Sequence, residues 1–266
     1  SEFGNWGLPD IARLRDHYWC DPWWFETGWE WGGGEVYPHA AGTRFYALHL
    51  DKLFGDYAGL AEASQWAQFE GLQYEIETMR LYPQIVGYVI TEFTDLHWEC
   101  NGLLDMVRNP KAYYHRLAEI NADTMIVPRL PRRAWRSGET AELMLHLSHF
   151  GAQPVSGASL VWALSGANVP ETTGVIDNLA LKPAQVVTLP RLSLRLPDLP
   201  VPAKVSLQLA LVDEAGAELA RNELVIVIFP QTAVSPQPIA CTDPNLASAL
   251  VAEGYAVTAE PASTVP

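Results

Sequence analysis

The sequence predicts an α/β architecture followed by an all-β one: the last βα units of a (β/α)8 barrel over residues 1–125, then an immunoglobulin-like β-sandwich over 137–230. Two observations carry this. Residues 1–125 are rich in Trp, Tyr, His and carboxylates and alternate helix-like with strand-like stretches, whereas 137–230 alternate apolar with polar residues and hold few aromatics. Between them, 126–136 contains two prolines and a run of arginines, the composition of an exposed linker.

Within the first region, Trp66, Phe69, Leu72, Ile76 and Met79 recur at steps of three or four. That spacing predicts a helix over about 57–81 that stops before Pro83. The run Ile85 to Phe93 is almost continuously apolar and β-branched, as expected of a strand buried on both faces in a parallel sheet, with Glu92 near its carboxyl end. Asn109-Pro110 then offers an N-cap and a first-turn proline, with Tyr113, Leu117 and Ile120 as the inward stripe of a further helix. A whole barrel needs about 250 residues. Its earlier strands are therefore expected to precede residue 1.

The second region reads as strands at 141–148, 159–164, 185–194, 204–212 and 217–229, whose spacing suits a sandwich. After Phe229-Pro230 comes a Pro/Ala-rich connector and a possible strand-helix-strand start, so 231–266 reads either as linker plus the stub of another α/β domain or as a tail.

A formal net charge of −14 argues against nucleic acid and acidic membrane surfaces as partners. No apolar run reaches the roughly 18 to 20 residues a membrane-spanning helix needs. Cys20, Cys100 and Cys241 are widely spaced and odd in number, which suggests neither a disulfide framework nor a zinc knuckle. With Ser rather than Met at position 1, the true N-terminus is expected to lie upstream, and a cytoplasmic location is preferred to a secreted one.

Two segments concentrate groups able to do chemistry. Ser1-Glu-Phe-Gly-Asn-Trp-Gly-Leu-Pro9 opens the chain, and Gly87-Tyr-Val-Ile-Thr-Glu-Phe-Thr-Asp-Leu-His-Trp-Glu-Cys-Asn-Gly-Leu-Leu-Asp105 follows one helix later. In a (β/α) barrel the carboxyl ends of the strands meet ligand, so Glu2 and Glu92 are expected to face one pocket. Trp6 can cover the apolar face of a sugar, and Gly4 permits a close turn. Five tryptophans between Trp19 and Trp31 can either line the rim or fasten a loop to it. His97, Trp98 and Glu99 are near enough to reach the same rim. No metal site is expected, because His97 and Glu99 would lack further ligands, and no cofactor is implied. Asp95 and Asp105 can equally cap the turns after the strand.

Those two segments, with Arg108-Asn-Pro-Lys111 after them, resemble glycoside hydrolase family 2, the β-galactosidase and β-glucuronidase group, over about residues 1–230. The Ser-Glu-Phe-Gly stretch is similar to the way that family presents its nucleophile on the seventh barrel strand, and the second segment looks like the eighth strand. The resemblance implies Glu2 as catalytic nucleophile of a retaining β-glycosidase, with Asn5, Trp6, Glu92, Asp95 and Trp98 contacting a β-linked carbohydrate. It also implies an acid/base residue in an Asn-Glu pair on the fourth strand, upstream of residue 1. Read from the residues alone, Glu92 is either a pocket-lining carboxylate or that missing partner. The alternative function is a noncatalytic carbohydrate-binding or scaffold protein built on a barrel and a sandwich.

Overall fold

The computed structural model describes residues 2–18, 41–96, 99–167, 169–231 and 238–258. The chain opens with β1 (Glu2–Phe3) and crosses through α1 (Ile11–Tyr18), α2 (Ala41–Ala47), α3 (Asp51–Phe54) and the long α4 (Tyr57–Met79). It returns as β2 (Val89–Ile90), parallel to β1, with Glu2 opposite Val89 and Phe3 opposite Ile90. A parallel pair requires a crossover connection, and α4 supplies the covering layer. Phe69, Leu72 and Ile76 of α4 are buried in one cluster with Tyr113, Ile120, Met125 and Val127, against which Phe3, Tyr88 and Ile90 pack.

The 3–4 spacing of apolar residues thus gives the expected helix, with Trp66 and Met79 packing on the same cluster. Asp56 caps its start by accepting from the Gly59 N–H at 2.8 Å. Other expectations in this region are corrected. The strand expected over 85–93 is only Val89–Ile90, and it is not buried on both faces: Val86 is 87% exposed, Val89 61% and Phe93 65%. Among the described residues β2 pairs only with β1, so nothing covers the far side. Nor is there one closed barrel among the described residues; what stands in this region is the parallel β1/β2 pair with its connecting helices. The helix expected after Asn109 is a 3-10 turn at Tyr114–Arg116 followed by the short α5 (Leu117–Ile120). Asn109 is no N-cap, because no helix starts directly after it; its backbone N–H and its Nδ2 donate to Asp105, at 2.7 and 2.8 Å.

The expected linker is folded. Residues 126–136 contribute to β3 (Thr124–Arg129) and β4 (Ala134–Arg136). Pro128 is tolerated because β3 pairs only with β5 (Thr140–His149) and so lies at a sheet edge. The arginines are tie-points: Arg129 reaches Glu77 at 3.3 Å and Thr78 at 2.8 Å, and Arg132 lies 4.1 Å over the Trp135 ring while pairing with Glu139.

The remaining strands are β6 (Val155–Gly166), β7 (Val169–Leu181), β8 (Gln185–Thr188), β9 (Leu192–Arg195), β10 (Ala203–Val212) and β11 (Glu218–Phe229). They form a five-stranded sheet in the order β4-β11-β10-β6-β7 and a four-stranded one in which β5 pairs with β3, β8 and β9. The sheets share one core, with Leu143, Leu145 and Leu147 of β5 meeting Leu160, Leu207 and Ile226 of the other sheet, all within 1% of full burial. Alternate residues face inward in β5, β10 and β11, so the period-two pattern supplies the apolar faces. The stretch expected as one strand over 185–194 is divided by Leu189-Pro190 into β8 and β9. Further on, β12 (Ile239–Ala240), α6 (Pro244–Ala252) and β13 (Val257–Thr258) form the anticipated strand-helix-strand, its two strands parallel and its helix capped by Asp243.

Candidate functional site

The register of β1 and β2 sets the site. Glu2 opens β1 opposite Val89, and Glu92 follows β2 by two residues, with the Glu2 charge near enough to bear on Glu92. The Thr91 N–H donates to the Phe3 carbonyl at 2.8 Å and continues the pairing past the strands. Gly4 makes that approach feasible: a Cβ there would sit 2.0 Å from the Thr91 carbonyl oxygen. The glycine serves the contact between strands, where a turn beside a substrate was expected.

A third carboxylate joins them. The chain returns after β2 so that the Glu92 N–H meets the Asn101 carbonyl at 3.4 Å and the Leu103 N–H donates to the Glu92 carbonyl at 3.1 Å. Asn101, 5% exposed, donates from Nδ2 to Glu99 Oε1 at 2.9 Å. Glu92 is held above the ordinary glutamate range. Partial removal from water is the largest cause, followed by the Glu99 charge and a hydrogen bond shared with Glu99, then the Glu2 charge.

Beneath this rim lies a buried polar layer. Lys111 donates to Asp95 Oδ1 at 2.8 Å, to the Cys100 carbonyl at 2.9 Å and to Gln68 Oε1 at 3.2 Å. Gln68 in turn donates to the Asn101 and Gly102 carbonyls at 2.9 and 3.1 Å, and the Gly102 N–H donates to Asp95 Oδ1 at 2.8 Å. Burial, only partly offset by Lys111, pushes the Asp95 carboxyl up to about 7, and burial likewise pulls the Lys111 ammonium down. Burial also pushes the Cys100 thiol up to about 12, which makes it a poor nucleophile.

Of the residues expected to touch sugar, Trp6 is 56% exposed and Glu92 half-buried, both on the segments that carry the site. Asn5 and Asp95 are turned inward. Asn5 donates from Nδ2 to Glu75 Oε2 at 2.8 Å and is pressed against Gly71 of α4, while Asp95 is 2% exposed and engaged by Lys111. Trp98, His97 and the tryptophan-rich stretch from Trp19 to Trp31 lie outside the described residues. Asn101 and Gln68 were missed by sequence reasoning, and Lys111 was noted only within a motif. Asp105 accepts from the Val107 and Asn109 N–H groups and closes a turn, one of the two roles open to it.

The sequence matches no family model and no curated protein. Among solved structures, the chain is similar to the exo-β-D-glucosaminidase CsxA, with 15% identity and a TM-score of 0.50, covering 82% of this chain and 26% of that one. A structure of the exo-chitosanase CsxA of Amycolatopsis orientalis matches with 15% identity and a TM-score of 0.49 over the same shares. The sporulation control protein Spo0M of Bacillus subtilis matches with 14% identity and a TM-score of 0.30, over 41% of this chain and 51% of that one. The chain spans about a quarter of the length of CsxA. At such identity the likeness concerns the fold alone, which is mixed and rich in strands.

Proposed function

We propose that the chain is the C-terminal part of a retaining β-glycosidase resembling glycoside hydrolase family 2, with Glu2 as nucleophile and β1 and β2 as the last two strands of its catalytic barrel. In that reading residues 137–230 form its immunoglobulin-like sandwich. The single observation that supports it most is the parallel pairing of β1 with β2, which sets Glu2 on one strand and Glu92 just beyond its neighbour, with the Glu2 charge bearing on Glu92. The glycoside-hydrolase-like fold adds weight.

Glu2 attacks the anomeric carbon and forms a glycosyl ester as the leaving oxygen takes a proton; water then opens the ester with retention. Glu2 is exposed and lies in a strand, ready to serve as nucleophile. The proton donor comes from outside these 266 residues, and Glu92 lines the pocket with Glu99 beside it. Trp6, more than half exposed, offers a ring for the sugar's C–H face. A β-D-glucosaminide, after the exo-β-D-glucosaminidase whose fold this chain resembles, and a β-D-galactoside are the first substrates to try.

The test is Glu2→Gln in the longer protein. Turnover is expected to fall by about 10³-fold or more with binding of the same glycoside retained. Undiminished turnover would overturn the assignment, and glycoside binding without any turnover in the unaltered protein would favour a noncatalytic carbohydrate-binding protein.

A further inference from the structure

The buried layer under the site has no place in the reaction proposed above, yet it touches the backbone that carries Glu99 and Asn101. Lys111 is 3% exposed and spends all three of its N–H donors on Asp95, Gln68 and the Cys100 carbonyl. Gln68 and Asp95 then grip the two residues that follow, through the Asn101 carbonyl and both backbone polar groups of Gly102. The Cys100 carbonyl accepts a second bond, from the Gly7 N–H at 2.8 Å, which joins the Asn5-Trp6-Gly7 segment to the same point. Every tether from Lys111 therefore ends on a chain segment that bears a group of the candidate site.

We propose that Lys111 is a positioning residue for this site: its ammonium, through Asp95 and Gln68, fixes residues 99–102 so that Glu99 and Asn101 stand against Glu92. The importance of that placement rests on the glycosidase reading; the mechanical link from Lys111 to Glu92 does not. A lysine suits the role because one ammonium can donate in three directions to a carboxylate, an amide oxygen and a carbonyl, which no uncharged side chain of similar length can do. Gly102 completes the fit, since a Cβ there would lie 2.3 Å from the Asp95 nitrogen.

The test needs no substrate. In this chain, with glutamate side-chain carboxyls labelled with ¹³C, the Glu92 signal is identified by its loss in Glu92→Gln and titrated by NMR. The groups facing it are Glu99 and Glu2, and the unaltered chain is expected to show Glu92 titrating above an ordinary glutamate. Lys111→Met leaves Asp95 buried without its partner, so Lys111→Met with Asp95→Asn is measured beside it. Release of residues 99–102 is expected to return Glu92 toward the ordinary range, weakening its proton affinity about threefold or more, while Glu77 and the amide exchange of α4 stay unchanged. An unmoved Glu92 in a folded variant would overturn the proposal. Collapse of α4 in both variants would overturn it too, by making Lys111 a general support of the core. Failure of the glycosidase reading would appear only in the turnover and trapping experiments and would leave this titration as it is.

Discussion

The Lys111 ammonium meets the Asp95 carboxylate at 2.8 Å with the two side chains 1% and 0% exposed. Withdrawal of both groups from water outweighs part of their attraction, which is why the Asp95 carboxyl is pushed up to about 7 while Lys111 is pulled down. The folded carboxyl thus holds its proton more tightly than an unfolded aspartate. Its contribution to stability is complete below the unfolded value near 3.8 and is lost as pH rises to about 7. Denaturant unfolding of the unaltered chain and of Asp95→Asn is expected to show the stability difference between them shifting against the unaltered chain from pH 4 to 7. A difference independent of pH would contradict this.

Glu77 joins the long helix to the sandwich. Its Oε1 accepts from Asn222 Nδ2 at 2.8 Å and from Gln73 Nε2 at 2.9 Å, and Asn222 also donates to the Ile126 carbonyl at 2.7 Å. Burial raises Glu77, with Asn222, Gln73 and Arg129 pulling the other way. Asn222→Ala removes one of the two donors to Glu77 Oε1 and the side-chain donor to the Ile126 carbonyl, a cost of about 1–3 kcal/mol. A double-mutant cycle with Glu77→Ala is expected to give a coupling of at least about 0.5 kcal/mol. Strict additivity would mean that the two residues do not act together.

Gly4 and Gly216 are distinct tests of backbone geometry. A methyl on Gly4 would strike the Thr91 carbonyl oxygen, whereas Gly216, at φ +81°, faces open space and is constrained only by its left-handed backbone. Gly4→Ala is expected to cost roughly 1–3 kcal/mol by forcing β1 away from β2, and to bring Glu92 closer to ordinary titration. Gly216→Ala is expected to cost roughly 1 kcal/mol and to leave Glu92 untouched. Thermal unfolding with the carboxyl titration separates them, and equal effects on Glu92 would contradict the account of the site.

Where one periodic pattern decided the structure, the sequence was legible. The steps from Trp66 to Met79 give α4, and the alternation in 141–148 and 204–212 gives β5 and β10 nearly residue for residue. Where pattern and partner diverge, it was not. The thirteen residues of β7 are mostly exposed on an edge strand, so no alternation marked them, and Ile85 to Phe93 is apolar without being a long strand because few neighbours cover it. The proline-rich 126–136 reads as a connector until its edge position is known. At the site, the carboxylates and Trp6 stood out by type and spacing. Gln68 and Asn101 did not, because their burial follows from each other, 33 residues apart along the chain.

The measurement that tests the central claim most directly is covalent trapping. The longer protein is incubated with a 5-fluoro β-D-glucosaminyl fluoride, which keeps the 2-amino group, and with a 2-deoxy-2-fluoro β-D-galactoside, and the labelled peptide is then located by mass spectrometry. The account predicts one sugar attached through an ester to Glu2, in the peptide that contains Ser1-Glu2-Phe3. A sugar on any other carboxylate of an active protein, Glu92 included, would contradict it.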